Sequence, residues 1–523
     1  MQINLIDHNM ERNHVQSKQF AALVILITII HAVSFIRFGA TYWYDSIVYF
    51  DLSDSIFGSR TLSEFYTGPV YYGFQHIQIG TSFIYGLAHA LFGTSAWQVY
   101  ALLQHAAAAF SLLYFLSALR KHLNSSVLWP IAIILSLHPF YQSFHNAVMT
   151  ESLSSSMLLL MAGSLLNLAT EDQLDRRHFA ILIISGMIGI QFRAQLSLFV
   201  IILLLGIMVF RKYLDWLKFT VVSISIFLSI MLFPVGRWAA TGKFFLPNID
   251  NLMVTFALWS NTSQSKDVEA ILAAQDFPLG INARDAAHNG LTYEQSLSWV
   301  AHLAEKGYSD SDIRKIVKNV AWKIRFDNWQ NISSQLDAAI ASAGLLNVSL
   351  FHTKEEILSQ GLTAEKFRTH NKQHFGWLSW TSNEDYEATL NRFLAAYEQS
   401  MLFHPEAVDR MKEAIFPNLV SNKSYRDLLG LNKLGTDVWV YGWMMGMLTL
   451  LLMKKKELLL ILGSPPIVNY CINLMIGFGN IRYSYVIFPF YIVSTFIFIV
   501  YMLTYVRNKF NDSPVRPDIH KSS

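Results

Sequence analysis

The sequence predicts an all-α polytopic membrane protein, with about ten transmembrane helices and a mainly helical extracytoplasmic domain. Three observations carry this prediction. Hydrophobic residues make up 53% of the 523 and charged residues only 15%, whereas soluble chains carry about 25% charged residues. The apolar residues come in long blocks rather than in alternation, as bilayer-crossing helices require. Basic clusters recur at every second connection between the blocks, which is the charge bias of cytoplasmic loops.

Taken in order, residues 1–18 are polar and read as a cytoplasmic N-terminal tail. The apolar run that follows lacks a small-residue cleavage site and reads as a retained first span. Apolar segments lie near 19–37, 96–119, 126–140, 152–169, 178–192, 195–210, 219–235, 437–453, 457–478 and 484–506. With Arg12 and Lys18 inside, the even connections are cytoplasmic. They carry Arg120 and Lys121; Arg176 and Arg177; Arg211, Lys212 and Lys218; and Lys454, Lys455 and Lys456. The tail from 507 to 523, with Arg507 and Lys509, falls on the same side. Both termini are therefore expected in the cytoplasm.

The opposite side takes three kinds of segment. The first is an outer loop, 38–95. Within it Ile79–Phe92 is apolar but short and ends at Gly93, so a re-entrant or interfacial helix fits better than a span. The second is a set of short turns near 141–151, 193 and 479–483. The third is a polar stretch, 236–436, long enough for a domain. Its apolar residues recur at helical spacing, as in Ile313, Ile316, Val317, Val320 and Ile324. The division is thus an N-terminal transmembrane module over 19–235, this outer domain, and C-terminal transmembrane helices over 437–506.

Other features set limits. A net charge of +3 gives no reason to expect a nucleic-acid partner, and the single cysteine, Cys471, rules out an internal disulfide framework. The histidines His76, His105, His138 and His145 show no zinc-ligand spacing, so no cofactor is expected and the sequence does not support a divalent metal. Four Asn-X-Ser/Thr sequons, at Asn261, Asn331, Asn347 and Asn422, lie on the outer side. They would matter only in a secretory compartment; the expected location is a bacterial inner membrane.

Six polar residues on the outer side form the candidate site. Asp45 follows Trp43 and Tyr44, with Tyr49 one helical turn on. Aromatic surroundings at the interface raise a carboxylate's pKa and suit a general base. Asp51 and Asp54 read as solvated charges. Glu151 opens the fourth span behind Thr150; it fits a helix N-terminus, where acids are favourable, and equally a functional carboxylate. Arg193, in a tight outer hairpin, and Arg482, just ahead of Tyr483 and the last span, run against the positive-inside bias. Phosphate binding by the planar guanidinium and snorkelling to headgroups both account for them.

These features, in this order, resemble the GT-C class of integral-membrane glycosyltransferases. That class includes protein O-mannosyltransferases and lipid A aminoarabinose transferases. The likeness covers roughly 20–235 and 437–505. It rests on Asp45 with Tyr49, on Leu91-Phe92-Gly93 closing the re-entrant segment, on Thr150-Glu151, and on Arg482-Tyr483 followed by Pro489. Protein O-mannosyltransferases carry an Asp-Glu pair in the first loop; here Asp45 is followed by Ser46. The resemblance implies a polyprenyl-phosphate sugar donor, an acceptor that is a glycan, lipid or protein, and inversion at the anomeric carbon. It implies Asp45 as base, Tyr49 and Glu151 as substrate-binding residues, and Arg482, Arg193 and Tyr483 around the donor phosphate. An O-antigen ligase or polymerase is the alternative, and a membrane transporter a more distant one.

Overall fold

A computed structural model describes chiefly residues 3–40, 46–61, 79–123, 125–170, 175–193, 216–242, 437–476 and 481–511, with scattered positions between 64 and 320. Every element with defined bounds among these is helical. In chain order they are α1 (Ile3–Phe38), α2 (Ser46–Gly58), α3 (Gly80–Phe92), α4 (Ala96–Leu119), α5 (Ser125–Leu137), α6 (Pro139–Asn146), α7 (Glu151–Thr170), α8 (Arg176–Phe192), α9 (Trp216–Thr241), α10 (Asp437–Leu452), α11 (Lys456–Ile476) and α12 (Ile481–Asn511). Among the described residues four stretches are long and apolar enough to cross a membrane: Lys18–Ile36, Ala96–Leu119, Glu151–Thr170 and Tyr485–Arg507. A fifth arises if α9, bent by 46° at Pro234, is one span. Proline removes an interior backbone bond, which accounts for the bend.

The segment expected as a span over 126–140 is divided. Helix α5 ends at Leu137, His138 takes an extended conformation, and Pro139 opens α6 at its first turn. Proline is tolerated there because that position donates no helical bond. Helix α3 has 13 residues, about 20 Å at 1.5 Å per residue. Its inner face buries Thr81, Ser82, Tyr85 and Ala88, and its outer face exposes Phe83, Leu87, Leu91 and Phe92. Gly93 ends it in the left-handed region, with φ 57, which glycine adopts without a steric penalty. Of the outer domain 236–436, few residues are described. Asp312, Lys315, Ile316, Asn319 and Val320 are helical, in step with the spacing seen there. The window 386–399 lies outside the described residues.

Helix α7 lies at the centre of the bundle, with 83% of its apolar window buried. A helix buried all round needs small residues where neighbours approach and partners for every hydroxyl. Gly163 packs against Tyr114 and Phe115 of α4, and Gly189 of α8 packs against Met157 of α7. Ser154 and Ser156 donate to the carbonyls of Thr150 and Ser152, four residues back, at 2.6 and 3.0 Å. Ser155 pairs with the hydroxyl of Tyr141 at 3.0 Å. The main hydrophobic core joins α4, α7, α11 and α12 through Phe115, Leu158, Ile461 and Phe490.

Helices α10 and α12 meet along Gly442 and Gly446, one turn apart. A side chain at Gly442 would collide with Thr495, and one at Gly446 with the backbone carbonyl of Ser494. Small residues at this spacing let two membrane helices approach closely. Gly446→Ala is therefore expected to cost about 1–3 kcal/mol through overpacking. Gly58→Ala, where nothing lies within 4 Å, is the control. Thermal midpoints of the detergent-solubilised variants check this, and equal midpoints would contradict the close approach.

Candidate functional site

The candidate site is built on the connector between α6 and α7, residues 147–150. Ala147, Val148 and Met149 are fully buried, so their backbone groups need protein partners. The connector is not in a regular ladder, and side chains supply the bonds instead. Gln104 Nε2 of α4 donates to the carbonyls of His145 and Ala147, at 3.2 and 2.6 Å. Ser46 of α2 donates to the carbonyl of Val148 at 3.0 Å. Tyr100 of α4 donates to that of Met149 at 3.3 Å.

The connector delivers Thr150 and Glu151 into the bundle. Glu151 is 1% exposed. Its carboxylate forms an ion pair with the Nη2 of Arg193, which follows α8. Thr150 joins the two: its hydroxyl donates to Glu151 Oε2 at 3.2 Å and accepts from Arg193 Nε at 3.4 Å. Tyr49 of α2 completes the group. It is buried beside Thr150, close to Glu151 and Arg193. Burial holds its hydroxyl above the ordinary phenol range. Glu151 adds to that, while Arg193 and the neighbouring Thr150 hydroxyl oppose it.

Three of the six site residues expected from sequence thus meet at one point: Tyr49, Glu151 and Arg193. Arg482 and Tyr483 lie in the first turn of α12, and their side chains are outside the described residues, as are those of Asp51 and Asp54 in α2. Asp45 itself lies outside the described residues. Tyr485, three residues after Arg482, reaches the site from α12. Its hydroxyl lies 3.2 Å from His145 Nδ1, and its ring stacks on Tyr141 at 5.0 Å.

Beneath the ion pair lies a layer of neutral polar groups that the sequence reading does not assign to the site. His105 Nε2 lies 3.0 Å from Asn146 Oδ1, an acceptor, so His105 carries its proton on Nε2. Its Nδ1 then accepts from His31 Nδ1 at 3.1 Å. Gln142 Nε2 closes the chain on His31 Nε2 at 3.5 Å, the long end of the range. His145 stands beside both rings, at centroid distances of 5.3 and 5.5 Å, with Ser152 Oγ 2.8 Å from its Nδ1. Burial, and then the neighbouring His31 and His105, hold His145 well below the ordinary imidazole range. The available signal is polar residues inside apolar runs: His31 in the first, Gln104 and His105 in the second. Among the described residues no group of three His, Cys, Asp or Glu is arranged to hold a metal ion; His76 is outside them.

No family model matches the chain, and no curated protein matches it. Among solved structures it is similar to the archaeal oligosaccharyltransferase AglB from Archaeoglobus fulgidus, determined with an inhibitory peptide and a dolichol-phosphate. The identity is 10% and the TM-score 0.40, over 96% of this chain and 52% of that one. The chain spans about half the length of that protein.

Two expectations follow from the geometry. Removing one member of a buried ion pair strands the other, at a cost of about 3–5 kcal/mol, whereas replacing both by apolar residues is far milder. Glu151→Leu and Arg193→Leu should each lower the thermal midpoint more than the double variant does. A double variant as unstable as the sum of the singles would contradict the pairing. The second expectation concerns pH. A histidine whose folded pKa is depressed binds its proton only on unfolding, so its stabilisation is complete above its ordinary value of 6.5 and is lost as pH falls. His145 should contribute a loss of up to about 1.4 kcal/mol per pH unit below about pH 6, and His145→Gln should lessen the slope by that contribution. A midpoint constant between about pH 7.5 and 5.5 would count against it.

Proposed function

We propose that this chain is an inverting glycosyltransferase of the GT-C kind. It moves a sugar from a polyprenyl-phosphate donor, undecaprenyl phosphate in a bacterial inner membrane, to a glycan, lipid or protein acceptor of the envelope. The reaction takes place on the non-cytoplasmic face of a ten-span bundle whose termini are cytoplasmic. The observation that carries this reading is the convergence of Tyr49, Glu151 and Arg193. They come from three distant parts of the chain, and each stands out in the sequence as an outward-facing polar group independently of the contacts it makes.

In this reading the acceptor oxygen attacks the anomeric carbon while the bond from that carbon to the donor phosphate oxygen breaks. The bonding pair leaves with the lipid phosphate, and the acceptor proton passes to the carboxylate of Asp45. Arg482, with Tyr483, meets the charge that develops on the departing phosphate. Tyr49 and Glu151 orient hydroxyls of the substrates. Arg193 is engaged by Glu151 and fixes that carboxylate, and its positive charge supplements that of Arg482.

The test uses cells lacking the chain, complemented with variants, and mass analysis of envelope glycans. Loss of a hexose or pentose in the deletion would name the transferred sugar. Asp45→Asn should then lower transfer by about 10²- to 10⁴-fold, the usual contribution of a general base. Asn at 45 with normal transfer would sink the base assignment. Unchanged glycans, together with solute uptake by the reconstituted protein, would replace the enzyme reading with a transporter.

A further inference from the structure

Val148 sits midway along the connector, with its carbonyl buried and bonded to a residue 102 positions away. That residue is Ser46, the first of α2 and the one bonded to Asp45 in the chain. Ser46 is fully buried and its hydroxyl donates at 3.0 Å. One turn later on the same helix, the buried Tyr49 lies beside Thr150. The Ser46 bond therefore fastens the first turn of α2 to the 148–151 segment.

The geometry points to Ser46 as a positioning residue for the proposed transfer, one that holds the first turn of α2, and with it the buried Tyr49, against the segment carrying Thr150 and Glu151. This inference rests on the glycosyltransferase reading. The chemistry at position 46 favours it. Only a donor can satisfy the buried Val148 carbonyl. An ionised glutamate has no proton to donate to that carbonyl, and burying its charge there would be costly. A serine after the first-loop acid therefore goes with a connector whose carbonyl faces it. The neighbouring carbonyls of Ala147 and Met149 are held by Gln104 and Tyr100, both of α4. Ser46 is the member of this set that belongs to α2, so its loss should loosen α2 from the connector and leave the connector on α4.

Ser46→Ala and Ser46→Thr test this in purified protein. The readouts are transfer from an undecaprenyl-phosphate-linked sugar, thermal midpoint, and amide hydrogen exchange. Because Ser46 acts through the helical turn it holds, Ser46→Ala should lower turnover at saturating donor by about tenfold, with donor KM changed less than about twofold. Exchange should rise together in peptides covering 41–50 and 147–151. Ser46→Thr, which keeps the hydroxyl, should restore both. Turnover of Ser46→Ala within about twofold of the parent would overturn the inference. So would a fall in turnover that follows the loss of folded protein and is not rescued by threonine. Unchanged exchange would show that the bond does not hold the two segments together. A parent protein with no transfer at all removes the glycosyltransferase reading and the positioning role with it, while the exchange data still decide whether the tether exists.

Discussion

The buried pair of Glu151 and Arg193 is the constraint around which one end of the bundle is arranged. Taking either charge out of water alone is prohibitive, and their mutual attraction offsets this only when the remaining lone pairs and protons also find partners. Thr150 meets part of that demand by bonding to both, and Tyr49 lies beside Thr150. The pair therefore fixes more than two side chains. It brings the end of α8 to the start of α7 and leaves the first turn of α2 as the wall against them. A helix N-terminus favours an acid on electrostatic grounds alone, but that effect is satisfied by an exposed carboxylate. Burial to 1% with an arginine partner is a more expensive arrangement than capping requires.

The connector before Glu151 is irregular backbone inside a membrane protein, tolerated only where protein partners replace the missing helical bonds. Gln104, Ser46 and Tyr100 supply them. This explains the polar content of otherwise apolar helices. Gln104 and His105 are adjacent in α4, yet they serve different ends: one bonds the connector's carbonyls, the other the side chain of Asn146. The break between α5 and α6 at His138 and Pro139 belongs to the same construction, because it turns the chain so that α6 ends at the connector.

How much of this is readable from sequence depends on what kind of signal each residue leaves. Helices are readable because apolar blocks of span length have few other uses, and charge clusters order them. Glu151 and Arg193 stand out because a charge at the end of an apolar run asks for a reason. That the two answer each other is not readable: they are 42 positions apart, and their meeting depends on how α7 and α8 pack, which the glycine at 189 permits. Ser46 and Tyr100 leave no signal, since donating to a carbonyl is a service any small or amphipathic polar residue performs. His31 is the residue that sequence reasoning could have found and did not. A histidine in the middle of the first apolar run is costly enough to be suspect, whereas its partner His105 draws notice only as a possible zinc ligand.

The layer beneath the pair has a consequence for the site's electrostatics. The order of donors from Gln142 through His31 and His105 to Asn146 is set by the acceptor at its end, so each link has one proton and one lone pair. A second proton on either ring would turn an acceptor nitrogen into a donor and break a bond of the chain. The bundle under the site is thus held by neutral dipoles, and the described charge near the connector is concentrated in Glu151 and Arg193. In a low-dielectric setting each such charge acts strongly at a distance, as the opposed effects of Glu151 and Arg193 on Tyr49 illustrate. Keeping the histidines neutral prevents them from competing with Arg193 for Glu151. Among the described residues around the connector, it leaves Glu151 and Arg193 as a fixed charged pair.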